Sequence, residues 1–420
     1  MGREVLPIHV TDNYLYLGVD TGDGYGRIYR YSLGSGDLEE VWSRGGARFS
    51  QIAVDHLSNR VVVVGLANDS EGLPRSAVFV FNPSSESVDV VTHQNTDEIN
   101  MFKSVVYDHV YRRFIVGERG YGLDASNVRS SWPNGGGLWV IPYEDLMDYT
   151  RWVRVHEFVN NPEVTSIAVH TNNKVYVGLW RPGSVSKIAY SDLSNLVSWS
   201  DHVLARLNVK SHVDSKGNFM SQTCVTDTGD YLTVRWFRDM SFLGITVGTV
   251  GNNVNNVSGY LVGRYIVLAV GKTSLTTDIY LIDMNTATFS VVRADADGVV
   301  DGKRFLYDGK KNLYIGSVRS SGNAKLYRLS FDYGRVISLS VDPPVVGAGD
   351  TVTLTAVLRD VNGVPISGAS VEFYEAHSVH SSPAGRLIGI RTTDGTGTAS
   401  ITHTVSASPE RRMFFAVYRG

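Results

Sequence analysis

The chain lacks several of the features that mark whole classes of protein. A single cysteine, Cys224, excludes an intramolecular disulfide and any zinc site built on several cysteines. The formal net charge is −3, which argues against nucleic acid as a partner because no basic excess neutralises phosphates. No run approaches about 18 uninterrupted apolar residues, so we expect no membrane span. The first residues lack the basic segment and apolar core of a signal peptide.

The chain has enough hydrophobic residues to build more than one core. It contains 420 residues, of which 43% are hydrophobic and 10% aromatic. This length exceeds the usual size of one core, so the sequence predicts either several domains or a large repeat fold.

A short strand motif recurs along the first 335 residues. An apolar strand that ends at a turn residue precedes many of its copies, and a polar loop and a hairpin follow. The copies are Tyr14-Leu-Tyr-Leu-Gly18, Val61-Val-Val-Val-Gly65, Arg113-Phe-Ile-Val-Gly117, Val175-Tyr-Val-Gly178, Tyr231-Leu-Thr-Val-Arg235, Tyr265-Ile-Val-Leu-Ala269 and Leu313-Tyr-Ile-Gly316.

The spacing of these copies predicts the fold of residues 1–335. Four short strands of alternating polarity, repeated about seven times, are typical of a β-propeller. Six blades is the alternative, because the repeated motif is poorly defined in the sequence of segment 209–257. The glycine that closes most copies is expected to allow close packing or a turn.

The last part of the chain, 338–420, has another pattern. Alternating strands separated by Pro, Gly and Asp turns predict an all-β sandwich. The segment resembles bacterial immunoglobulin-like domains of the invasin/intimin type. That resemblance implies a spacer or adhesion module of a cell-surface or virion protein. The matching residues are Leu354-Thr-Ala356, Asp360-Val-Asn-Gly363, Pro365, Gly368-Ala-Ser-Val371-Glu-Phe373, Thr393-Asp-Gly395, Gly397-Thr-Ala399 and Ala416-Val-Tyr418.

Positive side chains recur in the loops that follow the repeated motif. If they point towards the propeller axis, they form a positive ring that could hold a carboxylate, sulfate or phosphate group. The alternative is that each cation pairs with a local acid or faces solvent. The cations are Arg119, Arg181, Arg238, Lys272 and Arg319, with Arg75 further along its own loop.

The same loops carry aromatic side chains. The longest, 120–137, has Trp132 and Arg129 near its tip, and Tyr121 and Trp180 occur at related positions. Such a loop is the best single candidate for an element that stacks on a sugar or docks a protein. The alternative, which is equally open, is that it packs on a neighbouring blade or subunit.

Two acidic, glycine-rich segments have spacings that occur in calcium loops. They contain Asp20 and Asp23, and Asp295, Asp297 and Asp301. Neither completes the EF-hand pattern, and Asp-Gly turns are also common structural elements. The turn residues Asp108 and Asp308 recur with the fold, so we interpret them as structural rather than catalytic.

These observations lead to one functional expectation with two alternatives. We expect a non-enzymatic structural and recognition protein of a virion or extracellular surface, such as a tail, spike or decoration subunit of a phage or archaeal virus. It would need no cofactor, belong to an oligomeric assembly, and bind other assembly proteins and a host-surface glycan. The alternatives are a propeller glycosidase or polysaccharide lyase acting on acidic glycans, and a host cell-surface adhesion protein.

Overall fold

A computed structural model of the chain describes most of residues 4–418. The described part excludes residues 56–59, 94–100, 109, 120–121, 124–128, 131–135, 160–162, 171–172, 181–186, 205–211, 217–218, 226–230, 239–240, 250–253, 263–264, 273, 285, 301–303, 309–310, 319–323, 332–335, 344–348, 361–363, 377–385 and 406–412.

The fold is all-β, as the sequence predicts. Over the described ranges the one helical element is a 3-10 turn, Tyr149–Arg151. Asp148 caps it by accepting a hydrogen bond from the backbone N–H of Thr150. Strands dominate because apolar and polar side chains alternate and Gly, Asn and Asp turns interrupt them.

The strands before residue 331 form consecutive antiparallel meanders, which we number as sheets one to seven. Sheet one contains β1 (Glu4–Val10), β2 (Tyr14–Asp20), β3 (Tyr25–Ser32) and β4 (Leu38–Gly45). Sheet two contains β5 (Arg48–Asp55), β6 (Arg60–Asn68), β7 (Pro74–Asn82) and β8 (Ser87–Thr92). Sheet three contains β9 (Met101–Asp108), β10 (Arg113–Arg119), β13 (Gly136–Pro142) and β14 (Val153–Phe158). A small hairpin, β11 (Gly122–Leu123) and β12 (Arg129–Ser130), lies between β10 and β13 in the chain.

The later meanders repeat this order. Sheet four contains β15 (Glu163–His170), β16 (Lys174–Trp180), β17 (Lys187–Asp192) and β18 (Asn195–Leu204). Sheet five contains β19 (His212–Lys216), β20 (Phe219–Val225), β21 (Tyr231–Arg238) and β22 (Ser241–Thr249). Sheet six contains β23 (Val254–Val262), β24 (Tyr265–Lys272), β25 (Thr276–Asp283) and β26 (Thr288–Asp297). Sheet seven has three strands in the described residues, β27 (Phe305–Tyr307), β28 (Asn312–Gly316) and β29 (Leu326–Ser330).

The second strand of sheet two is buried on both faces. In β6, Val61 and Val63 pack towards sheet one, whereas Val62 and Val64 pack towards sheet three. A strand buried on both faces needs an unbroken apolar run, which is what this copy of the motif supplies.

The chain closes on itself through sheets seven and one. Leu306 and Tyr314 share a core with Val5, Leu15 and Leu17. The backbone N–H of Val5 also donates to the carbonyl of Ser317 at 3.0 Å. The first strand is therefore held by the last meander.

The glycines of the repeated motif are sites of close approach between sheets. A Cβ on Gly18 would lie 2.8 Å from the Phe49 ring, and one on Gly117 would lie 2.5 Å from Val164. A Cβ on Gly316 would collide with the carbonyl oxygen of Val5. The expectation of close packing is thus confirmed at these positions, each of which faces the next sheet.

The C-terminal strands form two further sheets. One contains β30 (Val336–Asp342), β31 (Thr351–Arg359) and β34 (Thr398–Thr404). The other contains β33 (Arg386–Thr392), β32 (Ser370–Ala376) and β35 (Met413–Tyr418). Leu354 of the first sheet and Phe373 of the second are fully buried in one shared core. His403 and Glu375 join the two sheets at 3.1 Å (Nε2 to Oε2).

Candidate functional site

Two of the predicted cations, Arg119 and Lys272, lie where the second strands of their meanders end. We call this the loop edge and define it by Asp20, Asn68, Arg119, Trp180 and Lys272, the last residues of β2, β6, β10, β16 and β24. In an antiparallel meander the first strand begins at this same edge. Side chains from consecutive sheets can therefore meet there.

Lys272 is paired with two carboxylates. Its Nζ lies 2.8 Å from Asp278 and 2.9 Å from Asp295. Hydrogen bonds to Asp278 and then Asp295 raise the pKa of Lys272, and Lys272 in turn lowers the pKa of Asp295. Most of the charge of this lysine is thus neutralised within its own sheet.

The two described arginines among the predicted cations are buried and paired as well. Arg119 contacts Glu163 at 3.2 Å, and this residue pair also links the backbones of sheets three and four. Arg75 contacts Asp69 at 3.0 Å, and its hydrogen bond lowers the pKa of that carboxyl. Arg75, Arg119 and Lys272 therefore pair with nearby acids, which was the alternative to a positive ring open to a ligand.

Arg238 does not occupy the position predicted for it from the repeated strand motif. Residues 231–235 belong to β21, the third strand of sheet five, whereas β20 is the second. Arg238 therefore ends a third strand, next to the turn into β22 and at the edge opposite the loop edge. The prediction was wrong here because residues 231–235 carry the apolar pattern of the motif but form the third strand, next to the second strand that the motif marks in the other sheets.

The other predicted binding residues remain predictions. Arg181, Arg319, Trp132 and Tyr121 lie outside the described residues. Arg129 lies on β12 and Trp180 ends β16, and only their backbone positions are described.

The acidic segments contact cations rather than one another. Asp23 accepts hydrogen bonds from Arg27 and Thr21, which lower its pKa. Asp20 lies 3.7 Å from Arg48, and Asp297 lies 4.0 Å from Lys325.

Asp20, Asp23, Asp295 and Asp297 therefore remain weak calcium candidates, each with a cationic side chain nearby. Across the part of the chain that the structure describes, no group of three or more His, Cys, Asp or Glu side chains could hold a metal. Asp301 lies outside that part.

Asp108 and Asp308 have the structural role that their recurrence predicts. Asp108 Oδ1 accepts from the backbone N–H groups of Val110 and Tyr111. Asp308 Oδ1 accepts from those of Lys311 and Asn312. Both carboxylates therefore close the turn between a first and a second strand.

No sequence motif predicts the buried polar cluster at the base of the longest loop. Glu118, which is 2% exposed, lies 3.5 Å from Arg154 and directly over Gly137. The Trp139 indole N–H is buried beside it and has no hydrogen-bond partner among the described residues. Only the strand pairing of sheet three brings these residues together, which explains why no motif marks them.

His93 packs beside this cluster from sheet two. Its ring lies 4.8 Å from that of Trp139 in an edge-on arrangement. Burial, and to a smaller extent the charge of Arg75, lowers the pKa of His93. The contact between sheets two and three thus combines aromatic rings with charged groups.

The comparisons with known proteins support the propeller-type fold. The chain is similar to a puromycin hydrolase S511A mutant complexed with PGG, with a TM-score of 0.53 and 8% identity over 84% of this chain and 58% of that one. It is also similar to a chain from a structural and mechanistic analysis of two prolyl endopeptidases, with a TM-score of 0.47 and 12% identity over 84% of this chain and 54% of that one. A third similar structure is Kuenenia stuttgartiensis hydrazine synthase, with a TM-score of 0.49 and 12% identity over 78% of this chain and 96% of that one. The chain thus spans about half the length of the prolyl endopeptidase and puromycin hydrolase chains. No protein-family model and no curated protein matches it.

These similarities correct one expectation. The sequence favoured a non-enzymatic protein, and the propeller-type structures that the chain resembles include enzymes, a puromycin hydrolase among them. That expectation is therefore wrong as an inference from the fold. Among the described residues no helix is long and apolar enough to cross a membrane.

Proposed function

We propose that the chain is a recognition and assembly protein made of a seven-bladed propeller and an immunoglobulin-like sandwich, and that it is a component of a virion. One observation carries the proposal. A separate two-sheet unit with its own core follows the propeller-type region, where the sequence resembles domains that act as spacers or adhesion modules. In this arrangement the propeller presents the binding face and the sandwich sets its distance from the particle.

Ion pairs between sheets support the idea of a rigid platform. Arg48 with Asp20, and Arg119 with Glu163, each connect one sheet to the next at the loop edge. Loops that rise from such an edge start from fixed positions, which reduces the ordering cost of binding. We place the binding element in the longest loop that the sequence predicts, 120–137.

Particle composition tests the proposed assignment to a virion. Virions purified from a producing culture should contain this chain in a fixed ratio to the capsid protein, measured by quantitative mass spectrometry. Its absence from particles, together with its presence in host envelopes, would favour the host adhesion protein instead.

A glycan array tests the binding face. The chain should retain acidic glycans, and Trp132→Ala or Arg181→Ala should reduce that signal at least tenfold. Arg151→Ala is the matched control, since Arg151 is exposed on the 3-10 turn of the third sheet. Unchanged binding by both loop variants would exclude this face.

A second candidate is a hydrolase or lyase that acts on acidic glycans, and the buried acids favour it. Glu118 and Glu163 are 2% and 1% exposed, and each lies beside an arginine at the base of the longest loop. An acid in such surroundings can serve general acid or base chemistry. Release of reducing ends from a polyuronate by the chain, lost in Glu118→Gln, would support this candidate.

A further inference from the structure

Sheets one and seven are two versions of the same unit. The motif Tyr14-Leu-Tyr-Leu-Gly18 corresponds to Asn312-Leu-Tyr-Ile-Gly316 on the second strands. On the third strands, 28–32 reads Ile-Tyr-Arg-Tyr-Ser, and 326–330 reads Leu-Tyr-Arg-Leu-Ser. The strand registers also agree, because Arg30 is opposite Tyr16 and Arg328 is opposite Tyr314.

The equivalent arginines have different surroundings. In sheet one the fourth strand, β4, places Glu39 directly opposite Arg30, with 2.5 Å between guanidinium and carboxylate. Sheet seven has no fourth strand within the described residues, and no strand there pairs with the outer edge of β29. Arg328 is exposed and forms no ion pair within the described part of the chain.

We propose that the outer edge of β29 is a docking site for an extended strand of another protein. An open edge offers backbone N–H and C=O groups to an added strand, and alternate side chains then set specificity. Sheet one supplies the template for that strand. An acidic residue would lie opposite Arg328 as Glu39 lies opposite Arg30, and an apolar residue would lie opposite Leu329 as Leu38 lies opposite Tyr31.

This inference rests on the proposed role as an assembly protein, since it names the surface by which a neighbouring component attaches. The chemistry of the partner is an acidic and apolar strand of about five residues, the length of β29. The positive charge of Arg328 selects such a strand against a basic one, because like charges directly opposite each other are destabilising.

A synthetic peptide tests the site directly. The probe is a fluorescently labelled peptide with the sequence of residues 37–45, Asp-Leu-Glu-Glu-Val-Trp-Ser-Arg-Gly, added to the full chain. We expect saturable binding by fluorescence anisotropy and slower hydrogen exchange of the amides of 326–330. Arg328→Glu should weaken binding about fivefold, and the peptide carrying Glu39→Arg should recover it on that variant. Arg151→Glu, another exposed arginine, should bind as the wild type does.

The contrary results are distinct. No binding at millimolar peptide, or equal affinity for both peptides on both proteins, would overturn the proposal. Protection of 25–32 instead of 326–330 would overturn it too, because the peptide would then have replaced β4. Failure of this experiment leaves the particle composition unaffected, so the docking site and the virion assignment are tested separately.

Discussion

At the scale of single residues, the glycines of the repeated motif have the clearest physical role. They allow the second strand of one sheet to approach the first strand of the next more closely than a Cβ permits. Gly316 is the most demanding case, since the obstacle is the backbone carbonyl of Val5 rather than a flexible side chain.

Gly316→Ala should therefore lower the free energy of unfolding by about 1–3 kcal/mol, the usual cost of overpacking. Gly34→Ala is the matched control, because nothing lies within 4 Å of a Cβ at that position. Thermal unfolding followed by tryptophan fluorescence compares the two variants. Equal melting temperatures would show that the two sheets accommodate the added methyl group without a loss of stability.

His93 should make stability depend on pH. Its pKa in the folded protein is below the usual value of 6.5, so the unfolded chain binds the proton first as pH falls. Stability from this residue is complete above about pH 6.5 and is lost below it. His156 adds to the same trend, since burial lowers its pKa as well.

His93→Phe keeps a ring against Trp139 and removes this titration. Melting temperatures measured from pH 7.5 to pH 5 should therefore fall less steeply for the variant than for the wild type. Parallel curves would mean that the imidazole binds its proton equally well in the folded and the unfolded states.

At the scale of strands, the sequence predicts most second strands but few of the side-chain contacts that these strands make with other sheets. Six of the seven motif copies fall on second strands because an apolar run, which ends in glycine in five of these six, suits a strand buried on both faces. The copy at residues 231–235 fails since a third strand can carry the same pattern. Partners such as Glu163 for Arg119 lie in another sheet, and only the packing of whole sheets brings them together.

The contact between β1 and sheet seven should contribute strongly to stability. Arg304 is 5% exposed and donates to the carboxylate of Glu4 at 2.8 Å and to the carbonyl of Val5 at 3.3 Å. Arg304→Met leaves these acceptors without their donor and should cost about 3–5 kcal/mol.

Arg151→Met is the control for this substitution, because its exposed pair with Asp148, at 4.0 Å, should contribute less than about 1 kcal/mol. Urea unfolding of both variants gives the comparison. A similar small loss in each would show that Arg304 does not secure the first strand.

At the scale of the whole molecule, the described residues of the C-terminal part form a hydrophobic core of their own. Among the described residues, the C-terminal core contains only residues from β30 onwards, and the earlier cores contain none of them. Phe373→Ala should therefore cost about 3–5 kcal/mol in the C-terminal unit alone. Phe114→Ala, which is equally buried in the core between sheets two and three, is its counterpart.

Differential scanning calorimetry should show two transitions, each lowered by only one of these variants. A single transition that moves with both would mean that the two parts unfold together. Residue 114 and residue 373 are buried to the same extent, so a difference between the variants reflects the unit and not the exposure.

The closure of sheet seven on β1 also has a consequence for synthesis on the ribosome. Arg304 and Glu4 are 300 residues apart, so Glu4 on the first strand lacks its ion-pair partner until the seventh meander has emerged. At usual elongation rates that interval is roughly 15 to 60 s. During it, the newly made first sheet exposes Val5, Leu15 and Leu17, whose core only sheet seven completes, and a chaperone that covers this surface would reduce aggregation of nascent chains.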